Sequence, residues 1–241
     1  MKEITCQEIT KTLKTMCIEA ATDLPKDVYQ QLHQKHDEED SLLAKKTLQV
    51  LIDNANLARE KQMPICQDTG MAFVYVTMGQ EVHITGGSLK EAIQEGIRQG
   101  YTEGYLRKSV VKDPLIRENT KDNTPAIMHI DIVPGENLEI LVAPKGFGSE
   151  NMSKIIMLKP ADGIEGVKQA VIRAVKDAGP NACPPMVIGV GIGGTFEKCA
   201  LLAKKALTRE LGSHSEIPYV KDFEIEVLEA INNLGIGPCG L

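Results

Sequence analysis

Aromatic residues are scarce in this sequence, which contains no Trp, five Tyr and four Phe among 241 residues. A surface that binds nucleic acid by stacking on exposed bases is therefore not expected. The chain also carries a net charge of −6, with 27 Lys and Arg against 33 Asp and Glu. Because a broad phosphate-binding face needs an excess of basic residues, we predict that nucleic acid is not a partner.

Long apolar runs are also missing, since none approaches the roughly 18–20 residues that span a bilayer. The first 14 residues mix both charges and lack the apolar core of a signal peptide. These absences predict a cytoplasmic protein without a membrane partner. In a reducing compartment, the six cysteines are expected to be core thiols, nucleophiles or metal ligands rather than disulfides. No C-x-x-C pair occurs, so a structural zinc site has no local support.

Hydrophobic periodicity predicts a helical first third and an alternation of helices and strands after it. Ser88 and Glu91 have the spacing of a capping box, which predicts that a helix starts there. The predicted helices are 4–21, a short one opening at Pro25, 41–58, 88–104, 164–175, 196–207 and 220–234. The stretch 113–124, rich in Asp and Asn, is predicted to be a loop.

Five segments are predicted to be strands. Segments 72–78 and 81–84 turn at Gly79, 125–133 forms a hairpin with 138–143, and 186–192 is a buried strand. The prediction is therefore an α+β fold with mixed, largely antiparallel sheets flanked by helices. No repeat or linker divides the sequence, so we predict one domain over residues 1–241.

Two cysteines lie in segments that combine reactive side chains with turn residues. Cys66 opens the segment CQDTG at 66–70, between a predicted helix and a predicted strand, where functional groups are common. Composition alone favours a buried thiol beside a turn-forming Asp68. Cys183 precedes two prolines, which hold the chain rigidly, as a metal ligand requires. A chance cysteine at a turn between elements explains Cys183 equally well.

Two further segments offer groups that bind anions. Gly146 and Gly148 allow the backbone of 144–151 to approach a ligand closely, although a flexible exit from the hairpin is the alternative. Arg107 carries a guanidinium that can hold a carboxylate with two hydrogen bonds. Taken alone, however, it is more simply the charged end of a helix.

The segment Gly189–Gly194 matches the G-x-G-x-x-G pattern of dinucleotide-binding proteins. The helix that follows it leads into another helix and not into the second parallel strand of a βαβ unit. Close packing of a strand on a helix is therefore the preferred explanation, and a nucleotide-binding module is the weaker one.

Taken together, five segments resemble the iron–sulfur hydro-lyases in content and order. They are CQDTG (66–70), LRKSVV (106–111), PKGFGSEN (144–151), NACPPMVIGVGIGGT (181–195) and INNLGIGPCGL (231–241). The chain resembles the alpha subunit, or N-terminal domain, of class I fumarases along essentially its whole length, and L-tartrate dehydratase alpha subunits are close relatives of that family.

The resemblance implies a 4Fe–4S cluster held by three cysteines, with Cys66 and Cys183 as two of them. Gln67, Asp68, Arg107 and Gly148 then correspond to residues that contact the substrate. It implies Arg107 at a substrate carboxylate, Gln67 and Gly148 in orientation, and Asp68 at the substrate hydroxyl with a role in proton transfer. The partners implied are a dicarboxylate and a beta subunit or C-terminal domain of the same enzyme, in a homo-oligomer or heterotetramer.

The resemblance favours reversible hydration of fumarate to (S)-malate, because the segments containing Arg107 and Gly148 look like the fumarase versions. L-Tartrate dehydratase or another dicarboxylate hydro-lyase is the alternative. The family's third cysteine falls beyond the GIGP segment, where this sequence stops, so Cys239 is not assigned as a ligand and a C-terminal truncation is expected. We therefore expect this chain alone to hold no stable cluster and to be inactive.

Overall fold

The fold, taken from a computed structural model, is described for residues 2–240. About 51% of the chain is helical and 14% is strand, with small mixed sheets flanked by helices, which confirms the α+β class. The elements in chain order are β1 (Lys2–Thr5), α1 (Cys6–Thr22), α2 (Lys26–Glu38), α3 (Leu42–Lys61), β2 (Met71–Gly79), β3 (Val82–Thr85), α4 (Leu89–Glu103), β4 (Ile127–Val133), β5 (Leu138–Lys145), α5 (Phe147–Glu150), α6 (Gly163–Ala178), α7 (Phe196–Ala206) and α8 (Pro218–Asn232).

The chain divides into two compact units. The first consists of Met1–Pro25 with Asp53–Phe147, and the second of Lys26–Ile52 with Gly148–Leu241. The prediction of one domain over 1–241 stays a prediction. Among the helices of residues 2–240, none combines the length and the apolar character needed to cross a membrane.

The core of the first unit lies between α1, α4 and a three-stranded sheet. Ile9, Leu13 and Cys17 repeat at helical spacing on α1 and are all buried. Helix α4 approaches α1 closely because it presents glycines at the contact. A Cβ on Gly96 would lie 2.6 Å from the Cβ of Leu13, and one on Gly100 would lie 2.7 Å from that of Cys17.

Capping explains where α1 starts. The Glu8 N–H donates to Thr5 Oγ1 at 3.2 Å, while the Thr5 N–H donates to Glu8 Oε2 at 2.9 Å, which is a complete capping box. Helix α4 starts after Ser88 as predicted, although the Ser88 side chain makes no capping hydrogen bond.

The three-stranded sheet has the order β4-β2-β5, with β2 in the centre. Val74 and Val76 alternate with less buried neighbours along β2, as expected for a strand with one face in the core. Strand β2 pairs in parallel with β4 and antiparallel with β5. A separate two-stranded sheet is formed by β1 and β3 in parallel. Of the three strand pairings found within residues 2–240, one is therefore antiparallel.

The predicted hairpin between 125–133 and 138–143 is wrong, because β2 lies between these two strands. Their short connection crosses the end of β2 and accepts hydrogen bonds from it. The Gly79 N–H donates to the Asn137 carbonyl at 2.7 Å, and the Gln80 N–H donates to the Val133 carbonyl at 2.9 Å. The connection thus satisfies the backbone donors at the end of the central strand instead of forming a two-stranded turn.

The core of the second unit is built from α6 and α8. Val175 of α6 packs with Val227 and Ile231 of α8, and the half-buried Met186 and Phe223 extend this cluster. The helices predicted at 164–175, 196–207 and 220–234 are confirmed as α6, α7 and α8.

The buried strand predicted at 186–192 is wrong. This segment has no regular secondary structure, and its apolar side chains Val187, Ile188, Val190 and Ile192 are exposed. A continuous apolar run is typical of a buried strand. It forms a strand, however, only where a neighbouring strand is available to pair with it. No strand pairs with this segment among the residues that the structure describes.

Candidate functional site

The CQDTG segment lies in the first unit, between the end of α3 and the start of β2. The residue before it, Ile65, is held by its backbone. The Ile65 N–H donates to the Ala21 carbonyl at 2.9 Å, and Asn54 Nδ2 donates to the Ile65 carbonyl at 2.9 Å. Cys66 therefore follows a residue that is anchored to both α1 and α3.

Cys66 is exposed, so the buried thiol favoured by composition alone is wrong. Its sulfur is nevertheless oriented by two hydrogen bonds within the segment. The Asp68 N–H donates to Cys66 Sγ at 3.4 Å, and the thiol lies 3.3 Å from Gln67 Oε1, to which it donates. A thiol held at the surface in this way is available to a metal or another electrophile.

Asp68 forms the turn that composition predicted, and it also joins the segment to a distant part of the chain. Its Oδ1 accepts from the Gly70 N–H at 3.1 Å, and its Oδ2 accepts from the Phe147 N–H at 3.0 Å. Because a carboxylate offers about four acceptor positions, both oxygens still have capacity for another donor. The role of Asp68 at a substrate hydroxyl stays a prediction.

A shallow cavity of about 330 Å³ lies against this segment, entirely within the first unit. It brings together three of the predicted site residues, Cys66, Gln67 and Arg107. The cavity is lined by Pro64, Ile65, Cys66, Gln67, Thr69, Tyr105 and Arg107.

Arg107 is exposed at this cavity, and no carboxylate pairs with its guanidinium in the described part of the chain. Arginine is well suited to binding a carboxylate, because its planar fork can make two parallel hydrogen bonds. A cavity that holds a thiol, an amide and an unpaired guanidinium has the groups to bind a small carboxylic acid beside a metal.

Tyr105 was not predicted as a site residue. It is 89% exposed, lines the cavity and adopts the left-handed backbone conformation, with φ of 53°. A positive φ at a residue other than glycine cannot be inferred from residue type, because such residues rarely adopt it. The sequence therefore contained no signal that would single out Tyr105.

The loop with Arg107 is tied to the CQDTG segment through Thr69. Thr69 Oγ1 donates to the Arg107 carbonyl at 3.3 Å, and the buried Tyr101 hydroxyl of α4 donates to the Thr69 carbonyl at 2.8 Å. Burial raises the pKa of Tyr101, so this phenol stays protonated and remains a donor. The hydrogen bonds connect both loops of the cavity to the core.

The remaining predicted site residues, Gly148 and Cys183, lie in the second unit. A Cβ on Gly148 would be 3.7 Å from the Asn181 carbonyl, which is ordinary van der Waals contact. Cys183 is exposed and follows the 3-10 helix Gly179–Ala182.

The backbone around Cys183 is held by hydrogen bonds. Cys183 has the left-handed φ of 57°, and its N–H donates to the Pro180 carbonyl at 3.0 Å. The Cys239 N–H donates to the Pro184 carbonyl at 2.9 Å. The structure thus presents Cys183 as an exposed thiol on a constrained turn, which is compatible with a metal ligand.

Cys17 differs from the exposed cysteines. It is buried in the core, and burial raises the pKa of its thiol to about 12. Because metals bind the thiolate form, a thiol in this environment is a poor ligand. Cys17 is thus one of the core thiols expected among the six cysteines. Within residues 2–240, no group of three or more His, Cys, Asp or Glu side chains is arranged to hold a metal ion.

The glycines of the segment 189–194 pack against the backbone of α7. A Cβ on Gly189 would lie 2.1 Å from the Ala203 carbonyl oxygen, and one on Gly191 would lie 2.1 Å from that of Cys199. Close packing therefore explains both glycines, although the packed segment is not the strand that we predicted. It carries no feature of a βαβ unit among the described residues.

The family model described as fumarate hydratase (Fumerase) matches residues 10–241. The chain belongs to this family. Two similar proteins, 43% and 30% identical to this chain, are given as examples. The putative L(+)-tartrate dehydratase subunit alpha of Methanocaldococcus jannaschii is 43% identical over 229 residues, which cover 92% of this chain and 80% of the relative. The L(+)-tartrate dehydratase subunit alpha of Escherichia coli strain K12 is 30% identical over 246 residues, which cover 100% of this chain and 80% of the relative.

Membership in the fumarate hydratase family confirms the resemblance on which the predicted site rests. The matched residues include the CQDTG segment, Arg107, Gly148 and Cys183. The chain is therefore a hydro-lyase subunit of the fumarate hydratase and tartrate dehydratase type.

Proposed function

We propose that this chain is the alpha subunit of an iron–sulfur hydro-lyase that reversibly hydrates fumarate to (S)-malate. The observation that carries the proposal is the cavity that unites the Cys66 thiol, the Gln67 amide and the Arg107 guanidinium. A dicarboxylate needs a cationic group for a carboxylate and a nearby centre at which water is added or removed. This cavity offers the first group directly and a metal-binding thiol for the second.

Cys66 and Cys183 are the proposed ligands of a 4Fe–4S cluster. Both thiols are exposed on constrained turns, and thiolates are the preferred ligands of iron–sulfur clusters. When bound, such a cluster with an open iron supplies a Lewis acid for the hydroxyl group that is gained or lost. Two cysteines do not complete the ligand set, and residues 2–240 contain no group of three or more His, Cys, Asp or Glu side chains arranged to hold a metal ion.

The other site residues bind and orient the substrate. Arg107 pairs with a carboxylate of the substrate, and the Gln67 amide orients it beside Cys66. Gly148 leaves room for close approach, since a Cβ there would meet only one atom, at 3.7 Å. Asp68 accepts a hydrogen bond from the substrate hydroxyl and exchanges a proton with it, while the two backbone donors keep its carboxylate oriented.

L-Tartrate is the second candidate substrate, and the names of the relatives favour it. The proteins from Methanocaldococcus jannaschii and Escherichia coli are both named L(+)-tartrate dehydratase subunit alpha. Tartrate carries a hydroxyl on each central carbon, whereas malate carries one, so a few polar side chains near the Cys66 thiol are sufficient to discriminate between them. The names of these relatives also support a beta subunit as the partner of this chain.

The deciding experiment is anaerobic co-production of the chain with its beta partner, followed by assays on fumarate, mesaconate and L-tartrate. We expect the highest kcat/KM on fumarate. If kcat/KM is higher on L-tartrate, L-tartrate and not fumarate is the substrate. No turnover of any of the three acids would contradict the proposal. A rise in melting temperature on addition of NAD or ATP would instead support the nucleotide-binding alternative at Gly189–Gly194.

The proposed cluster ligands are tested by iron content in the same complex. Cys66→Ser and Cys183→Ser are expected to abolish activity and to lower the bound iron. Cys199→Ser is the matched control, because its thiol already donates to the Phe196 carbonyl at 3.2 Å and a hydroxyl can do the same. Full iron content in either ligand variant would remove that cysteine from the cluster.

A further inference from the structure

Asn123 is the most completely buried polar side chain in the loop 113–124, with 0% of its surface exposed. It adopts the left-handed conformation, with φ of 61°, which asparagine tolerates better than most residues. Burying an amide costs free energy unless its donors and acceptor are hydrogen-bonded. Its partners therefore indicate why an amide lies in this position.

The Asn123 side chain makes three hydrogen bonds, all to backbone groups. Its Oδ1 accepts from the Ser109 N–H at 2.7 Å and from the Val110 N–H at 3.1 Å. Its Nδ2 donates to the Gly70 carbonyl at 3.0 Å. One amide thus connects two segments of backbone that are far apart in sequence.

The two connected segments are the two sides of the cavity. Ser109 and Val110 lie two and three residues after Arg107, whereas Gly70 ends the CQDTG segment that begins at Cys66. Together with the hydrogen bond from Thr69 Oγ1 to the Arg107 carbonyl, the Asn123 side chain therefore holds together the two segments that carry the guanidinium and the thiol.

The neighbours of Asn123 hold its backbone in place. Asp122 Oδ1 accepts from the Thr124 N–H at 3.0 Å and from the Thr124 hydroxyl at 2.7 Å. Asp122 Oδ2 accepts from Arg98 Nε of α4 at 2.9 Å. Asn123 is thereby anchored to a core helix, so it is a rigid support rather than part of a mobile loop.

We propose that Asn123 is a positioning residue that sets Arg107 relative to Cys66 and so determines the affinity for the dicarboxylate. This inference rests on the proposed function, because it assumes that Arg107 binds a substrate carboxylate. The pairing between Arg107 and a carboxylate exists in the bound substrate as well as in the transition state. Its loss is therefore expected in KM with little change in kcat.

The test uses Asn123→Gly in the complex with the beta partner. Glycine keeps the left-handed backbone without strain and removes all three hydrogen bonds. Because a displacement of about 1 Å at a site can cost about 100-fold, we expect KM for the preferred dicarboxylate to rise by about 10- to 100-fold. Thr120→Val is the matched control, since Thr120 Oγ1 donates to the Val110 carbonyl at 3.2 Å but makes no hydrogen bond to the CQDTG segment. Its KM should stay within about twofold of wild type, well below the factor of ten that one charge-assisted contact contributes.

A purely structural role gives a different result. It lowers the fraction of folded enzyme, which reduces kcat and leaves KM unchanged, and this outcome overturns the proposal. An unchanged KM with full activity also overturns it. If Asn123→Gly does not fold, Asn123→Asp keeps the acceptor for both amides, loses the donor to Gly70 and adds an ionisable carboxyl at a buried position. A raised KM is expected there too, and an unchanged KM overturns the proposal.

Amide hydrogen exchange distinguishes failure of this proposal from failure of the proposed function, because it does not depend on turnover. If wild type turns over none of the dicarboxylates, the function fails, but the support by Asn123 is still measurable. Asn123→Gly is expected to speed exchange of the Ser109 and Val110 amides by at least about tenfold, the change that corresponds to one lost hydrogen bond. Exchange at the wild-type rate would overturn the positioning role whatever the substrate is.

Discussion

Gly70→Ala combines a positive φ with a close backbone contact, next to the candidate site. Gly70 ends the CQDTG segment and has a φ of 64°. A Cβ at this position would lie 2.2 Å from the Lys145 carbonyl oxygen and 2.7 Å from the Gly146 nitrogen. Both are backbone atoms at the end of β5, so a change of side-chain rotamer cannot relieve the contact.

The cost has two parts. An alanine in the left-handed region costs about 1–2 kcal/mol. Relief of the contact requires the segment and β5 to separate by about 1 Å, which breaks the hydrogen bonds from Phe147 to Asp68 and from Asn123 to Gly70, each worth about 1 kcal/mol. The sum is about 3–4 kcal/mol, which corresponds to a decrease in melting temperature of roughly 10 °C for a chain of this size.

Two control substitutions separate these parts. Gly86→Ala has a φ of 78° and nothing within 4 Å of the new Cβ, so it carries the backbone strain alone. Gly79→Ala places a Cβ 2.3 Å from the Gly135 carbonyl oxygen without a positive φ, so it carries the contact alone. Thermal unfolding of the three variants is the assay, together with kcat/KM of each in the complex with the beta partner.

We expect the free energy of unfolding of Gly70→Ala to be lower than that of Gly86→Ala by at least about 1 kcal/mol, the value of one hydrogen bond. It should also lose about 100-fold in kcat/KM through displacement of Cys66 and Gln67. A Gly70→Ala variant that is no less stable than Gly86→Ala, and equally active, would refute the reasoning from the contact with Lys145.

Three further predictions concern single side chains. A maleimide at mildly alkaline pH should label exposed Cys66 and Cys183 in the cluster-free chain but not Cys17, whose pKa burial raises to about 12; mass spectrometry of native and denatured protein checks this. Partial burial opposes ionisation of Asp122, but hydrogen bonds from Thr124 and Arg98 lower its pKa from 3.8 to about 2. Ionised Asp122 therefore stabilises the fold above about pH 4, and this contribution is lost as the pH falls towards 2; Asp122→Asn should flatten the acid limb of the unfolding curve. The Ser109 hydroxyl is buried without a hydrogen-bond partner, so Ser109→Ala should leave stability unchanged or raise it by about 1 kcal/mol in urea unfolding, and a clear loss would contradict this.

Helices were predictable because the buried face of a helix is marked by apolar residues three or four positions apart in the sequence. The apolar stripe of 4–21 predicted α1, and the three most buried positions on it, Ile9, Leu13 and Cys17, follow the helical period. The short helix at Pro25 and the stripe of 41–58 likewise predicted α2 and α3. In each case the information lies within about four residues along the chain.

Strand pairing was less predictable because each strand depends on a partner elsewhere in the sequence. The strands 125–133 and 138–143 exist, and only their pairing differs from the prediction. Strand β2, which starts at Met71, lies between them. The turn at 134–137 is short enough for a hairpin, so nothing within these segments indicates that a third strand separates them. The segment 186–192 has the apolar composition of a buried strand. It forms no strand, because no strand among the described residues pairs with it.

The site was predictable in part because the resemblance supplied residues that composition did not. Cys66, Gln67 and Arg107 line one cavity, as residues of one site must, and their roles remain predictions. Tyr105 and Asn123 escaped the prediction because their contribution depends on a left-handed backbone and on hydrogen bonds to distant segments.

Asp68 shows that turn chemistry and site chemistry need not be alternatives. Its bond with the Gly70 N–H is the local turn that residue types predict, and its own N–H donates to Cys66 Sγ. The turn therefore orients the Cys66 thiol and leaves it exposed. If Asp68 served only to form a turn, its hydrogen bonds would be explained, but the exposed position of the sulfur would not. The hydrogen bond from Phe147, 79 residues away in sequence, then fixes the turn against the start of α5. A local pattern can predict the turn, but only the tertiary contact makes it a rigid support for the cysteine.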